Sequence, residues 1–149
     1  VPAFDLFARL MDEHTHEKLL LGDVSAVFQV NRSAALQRTL LQRDEWQPRL
    51  LHGSDYPLPG VMPLTRPERL VQHGLLDAAY LPKLKAVREH NPLLFDFMVK
   101  RLVKSGTFAW RADVFHTARH FNTAPVTPQK RDASGGTRRI AAGHNAGRA

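Results

Sequence analysis

The chain has 149 residues, 43% of them hydrophobic, which suits one domain with a buried core and excludes compositional disorder over most of its length. No apolar run approaches the roughly 18 to 20 residues of a membrane span, and the N-terminus lacks the basic and apolar regions of a signal peptide. A soluble, cytoplasmic protein with no membrane partner is therefore expected; with no cysteine, any transition metal must be held by His, Asp or Glu.

Phe4, Phe7, Leu10 and Met11 recur at helical spacing and predict an amphipathic helix near residues 3 to 14. His14 and His16 follow as an H-T-H in a loop with no apolar strand before them, so they read as solvated residues rather than ligands. LLLGDVSAVFQV, Leu19 to Val30, reads as a buried strand whose start is continuously apolar, as in parallel sheets covered on both faces. Residues 32 to 43 predict a helix with Leu36, Leu40 and Leu41 inward and Arg32, Gln37, Arg38 and Arg43 toward solvent. RLLHGSD, from Arg49 to Asp55, is a second strand bounded by Pro48 and Pro57. Strand, helix and strand at this spacing make a βαβ unit with two parallel strands, whose carboxyl ends point the same way.

Beyond Asp55 the loop YPLPGVMPLTRP carries four prolines, at 57, 59, 63 and 67, which exclude a helix and stiffen a long excursion of the kind that lines α/β sites. Helices resume near Arg66 to His73 and Ala78 to Glu89. Asn91 followed by Pro92 is a helix start; Leu94, Phe97, Met98 and Leu102 supply an apolar stripe, and Gly106 behind Lys100, Arg101 and Lys104 supplies the stop. VFHTARHF places His116 and His120 four apart on a helix, but without the Glu of an H-E-x-x-H pattern a surface helix is the better reading. The tail from Asn122 to Ala149 holds Lys130, Arg131, Arg138, Arg139 and Arg148 against Asp132 alone, more than half of the chain's excess of +7. Poor in large apolar residues, it is expected to be a disordered basic tail, and with no aromatic among its arginines a nucleic-acid partner is disfavoured.

HGSDYPLPG at 52 to 60, preceded by two leucines and followed by NPLLFDFMVKR at 91 to 101, resembles the C-terminal end of the amidohydrolase superfamily, in the branch of amidohydrolase-related hydrolases and decarboxylases. Gly53, Ser54, Asp55, Tyr56 and Pro57 match the motif that ends the last strand of those (β/α)8 barrels, and LLLGDVSA is similar to the strand before it, with Asp23 and Ser25 near its carboxyl end. The resemblance covers residues 3 to 121 and implies an α/β fold: the closing βαβα portion of a TIM barrel, its last two strands and following helices, incomplete on its own. Residues 1 to 121 would form that portion and 122 to 149 the tail. A chain that opens on Val1 rather than Met is in keeping with a processed chain or a piece of a longer one.

The same resemblance implies Asp55 as a metal ligand and general acid/base, with Tyr56 and Ser25 lining the pocket of a small-molecule substrate. The cofactor would be a divalent metal, zinc first, with most ligands outside this chain, which alone is expected to be inactive. A carboxylate at a strand end can bind Zn²⁺ and take a proton from the bound water, whose pKa falls to about 7. The structural alternative is a turn aspartate capping the backbone before Tyr56 and Pro57. His52 alternates away from Gly53 and reads as a packing histidine; Asp23 reads as structural. Besides the hydrolase or decarboxylase, a nonenzymatic interaction module and a tail-driven nucleic-acid binder stay in play, and homo-oligomerisation is open.

Overall fold

A computed structural model describes residues 3–121; the basic tail at 122–149 lies outside the described residues. The elements run α1 (Ala3–Asp12), β1 (Gly22–Asp23), α2 (Ala34–Gln42), β2 (Leu50–Leu51), α3 (Pro67–Gln72), α4 (Leu81–His90), α5 (Pro92–Leu102), β3 (Lys104–Ser105), β4 (Phe108–Ala109) and α6 (Ala118–Phe121), with short 3₁₀ turns between them. Helix and strand are mixed as expected, and β1 pairs parallel to β2 with Gly22 opposite Leu50 and Asp23 opposite Leu51. With α2 as the crossover this is the βαβ unit of the sequence reading. Among the described residues the parallel sheet has these two strands, and the second sheet is the antiparallel β3–β4 pair.

The first strand is far shorter than its apolar run. Leu19 is 84% exposed and Leu21 is exposed too, so the stretch Leu19 to Leu21 is not a covered strand. The Asp23 carboxylate accepts a hydrogen bond from the Ser25 amide at 2.8 Å, an Asx turn that takes the chain out of the sheet. Val24 still donates to Leu51 O at 3.0 Å, and the segment then coils until Val30 N meets Leu64 O at 2.8 Å. The second strand also stops early: His52 N donates to Val114 O at 2.8 Å, so the 3₁₀ turn Ala112–Phe115 takes over where the ladder ends.

The core gathers Met11, Leu41, Trp46, Leu50, Leu84, Phe95, Val99, Val103 and Val114, all essentially sealed from water. Trp46 is central: Phe7 meets it edge-on at 5.8 Å, Arg43 stacks on it at 4.0 Å, and its indole N–H donates to Asp12 at 2.9 Å. Those contacts fasten α1 to the turn that follows α2. Gln37 corrects the sequence reading, since it is buried and its amide donates to Val27 O at 3.0 Å, satisfying a carbonyl that the shortened strand leaves free.

α5 begins as read, with the Asn91 side chain accepting from Leu94 N at 2.9 Å and Pro92 in the first turn. Its buried face is displaced from the predicted stripe: Phe95, Asp96, Val99 and Lys100 point inward, while Leu94 and Phe97 are exposed. The helix also ends without a glycine, at Leu102, because Val103 turns extended into β3; Gly106, at φ +63°, serves the β3–β4 turn instead.

The hairpin is tied down by a buried glutamine. Gln47 donates from Nε2 to Leu41 O at 3.3 Å, Asp44 Oδ1 at 3.2 Å and Ala109 O at 3.2 Å, and its Oε1 accepts from Arg111 N at 2.5 Å. Gln47→Leu keeps the volume and strands these backbone groups, so urea denaturation is expected to show a loss of about 1–3 kcal/mol; unchanged stability would mean that the network contributes nothing net.

Candidate functional site

Parallel pairing brings the carboxyl ends of β1 and β2 to one end of the molecule, and Asp23 and Asp55 leave the sheet there. Between them lies Gly53. A Cβ built on Gly53 would stand 2.7 Å from Asp23 Oδ1, so the Asp23 carboxylate occupies the space a side chain would need. The glycine of the GSD motif is thus required by a cross-strand contact.

On the other side, Lys100 reaches up from α5. Its ammonium donates to Gly53 O at 2.6 Å and to Asp96 Oδ2 at 2.7 Å, and the residue is 1% exposed. Burial dominates both partners' titration. It pushes the Asp96 carboxyl up to about 6 against the opposing pull of Lys100, with the charges of Asp55 and Asp23 adding to the rise. It pushes Lys100 down from the ordinary lysine range, while Asp96, Asp23 and Asp55 act to hold its proton. The three carboxylates and the ammonium therefore form one electrostatic group at the strand ends.

His52 flanks this group. Its ring packs against Phe115 at 5.3 Å and Phe97 at 5.7 Å, the packing role read from strand alternation. Desolvation, and then the nearby Lys100 charge, lower its pKa to about 4, with Asp23 opposing. Neutral at ordinary pH, it forms no ion pair with Asp96 across their 4.0 Å separation, and its Nδ1 has no hydrogen-bond partner among the described residues.

Asp55 itself sits at φ +51°, in the left-handed region that Asp tolerates better than most residues, and is exposed. The capping role of the structural alternative falls to its neighbour: Ser54 Oγ accepts from Tyr56 N at 3.3 Å, and Asp55 contributes its backbone carbonyl to Leu58 N at 2.8 Å. Tyr56 is exposed on the proline-rich excursion. Ser25 lines, with Asp23 and Arg32, the polar side of a cavity of about 240 Å³ whose other walls include Phe4, Phe7 and Leu36. The structure thus brings Asp23 and Ser25 together at one opening and leaves Tyr56 outside that cavity.

Of the other histidines that the sequence singles out, His14, His16 and His116 are exposed and His120 is half-buried. His14 faces Glu17 at 3.5 Å and His16 faces Glu13 at 3.8 Å. His116 ends the 3₁₀ turn at Ala112–Phe115 and His120 lies in the separate α6, so the two do not share one helix face. Among the described residues no group of three or more His, Cys, Asp or Glu could hold a metal ion.

Asp96 and Lys100 were missed by the sequence reading. Their signal was present as an acid and a base four apart, each next to a core position, Phe95 or Val99, in a spacing that lets the two neutralise each other on an inward face. Comparison of the chain with models of known families, with curated proteins and with solved structures gives no match.

The His52 ring is expected to titrate near pH 4 by ¹⁵N NMR, and Asp23→Asn, which removes the charge that raises it, to titrate lower still. In the unfolded chain the imidazole takes its proton at about 6.5. The fold therefore loses this contribution as pH falls from about 6.5 to about 4, while Asp96, protonated in the fold from about 6 downward, shifts stability the opposite way. A His52 midpoint at the ordinary value in the folded protein would contradict the packing described.

Proposed function

We propose that this chain is the closing part of a (β/α)8 hydrolase or decarboxylase of the amidohydrolase type, in which Asp55 is the general acid/base acting on a small-molecule substrate. The observation that carries the reading is the parallel pairing of β1 and β2, which sends Asp23 and the G-S-D turn to the same end of the sheet, as strand-end chemistry in a barrel requires. A two-stranded parallel sheet is marginal by itself, and further strands on its edges would complete it.

What supports the role is the place of Asp55, exposed just past the end of β2. Its carboxylate is exposed at the strand mouth, where a substrate arriving from solvent comes within hydrogen-bond reach. It would take a proton from an attacking water and return that proton to the leaving atom. The buried Lys100 and Asp96 stand behind it and lend the strand end a fixed charge pattern.

A divalent metal, zinc first, belongs to the family pattern. The described residues do not fit one alone, since no three-ligand group is present among them, and no step is derived through it. Asp55 is at most one donor to such an ion.

Asp55→Asn keeps a residue that accepts positive φ and removes the ionisable oxygen. In the full protein, kcat for hydrolysis of small esters, lactones or amides is expected to fall by about 100-fold or more, with the thermal midpoint unchanged. Equal rates in the variant and its parent would overturn the assignment.

A further inference from the structure

We propose that Lys100, held in place by Asp96, is the positioning residue for Asp55: its ammonium grips the Gly53 carbonyl and so fixes the left-handed turn that presents the Asp55 carboxylate. The proposal rests on the reading of Asp55 as the working acid, but the geometry behind it stands by itself.

A lysine withdrawn from water is costly to keep charged, and an apolar side chain of similar length would fill the same space at lower cost. Lys100 nevertheless lies 1% exposed, with one hydrogen bond to a counter-charge, Asp96 Oδ2 at 2.7 Å, and a second to a backbone carbonyl, Gly53 O at 2.6 Å. That carbonyl belongs to the residue two before Asp55 and lies just past the last paired residue of β2, where the ladder no longer dictates the path of the chain. Gly53 is restrained from two directions, since the Asp23 carboxylate lies against its Cα and leaves no room for a Cβ. With the peptide after Gly53 pinned, the turn closes through Tyr56 N to Ser54 Oγ at 3.3 Å and Leu58 N to Asp55 O at 2.8 Å, with Asp55 at φ +51°. Neither of those turn bonds involves the Asp55 carboxylate, which leaves its oxygens free of them.

The groups around Lys100 come from three elements. Asp96 lies on its own helix, Asp23 ends β1, and His52 and Asp55 lie on the segment that leaves β2. Lys100 is the cation that opposes these carboxylates from beneath. Arg101, next along α5, stacks on Phe115 at 4.9 Å instead.

NMR on the uniformly labelled full chain tests the proposal directly. In the parent, a slowly exchanging Lys100 ammonium resonance is expected, with a scalar coupling across the hydrogen bond to the Gly53 carbonyl carbon. Its absence from a folded protein would overturn the proposal before any variant is made. Lys100→Met is expected to shift the Asp55 backbone resonances and HN–Hα coupling away from positive φ while the indole signals of Trp46 and Trp110 stay in place; Lys100→Arg is expected to restore the parent pattern. An Asp55 turn unchanged in folded Lys100→Met would overturn the positioning role, and the reading of Asp55 as acid/base would then stand or fall on the rates of its own variant. Hydrolysis unaffected by Asp55→Asn would leave the Lys100 contact intact and remove only its catalytic meaning.

Discussion

An ammonium group taken almost wholly out of water has to find its compensation inside the fold, and Lys100 finds it in one carboxylate and one carbonyl. This contact joins the two halves of the described structure. Asp96 and Lys100 belong to α5, which packs against α4 through the core, while Gly53 belongs to the segment leaving the parallel sheet. Hydrophobic packing could set the helix beside the sheet with some freedom to slide. A short charge-assisted hydrogen bond to one named carbonyl removes that freedom at the point where the backbone turns toward Asp55.

The surroundings follow from that constraint. Because burial strips it of water, and because the ammonium is close, the adjacent imidazole of His52 is held neutral and serves as an aromatic wall with Phe97 and Phe115. Because Asp23 lies over Gly53, the position between the strands has to be glycine, and the Asp23 side chain must spend one oxygen on the Ser25 amide to hold that pose. Asp96 and Lys100 are the buried members of the group, while Asp23 and Asp55 are both exposed.

Much of this was legible in the sequence, and the failures have physical causes. The βαβ unit was readable because two apolar runs flank a helix with a leucine stripe, and the α5 start because Asn91 and Pro92 supply a cap and a fixed φ. The strand lengths differ from the reading because apolar content fixes neither burial nor pairing: Leu19 and Leu21 are apolar yet exposed, and the Asp23 turn ends the strand whatever follows. Gln37 reads as solvent-facing, and Lys100 only as part of a basic helix end, because a polar side chain reveals nothing of a distant partner; Val27 O and Gly53 O lie 10 and 47 residues away in the chain. The α5 stripe was misplaced for the same reason, since an ion pair that satisfies itself can share the inward face with Phe95 and Val99. At Asp55, the structural alternative of a backbone-capping carboxylate is not what the turn uses, since Ser54 makes that bond.

The central claim is that Asp96 and Lys100 are charged for placement and stabilise chiefly by cancelling one another. Equilibrium denaturation of Lys100→Met, Asp96→Leu and the double variant measures that directly. The account predicts that Lys100→Met alone, which strands a buried carboxylate, loses about 3–5 kcal/mol and that the double variant recovers most of this loss. A double variant as unstable as the two single losses added together would contradict it.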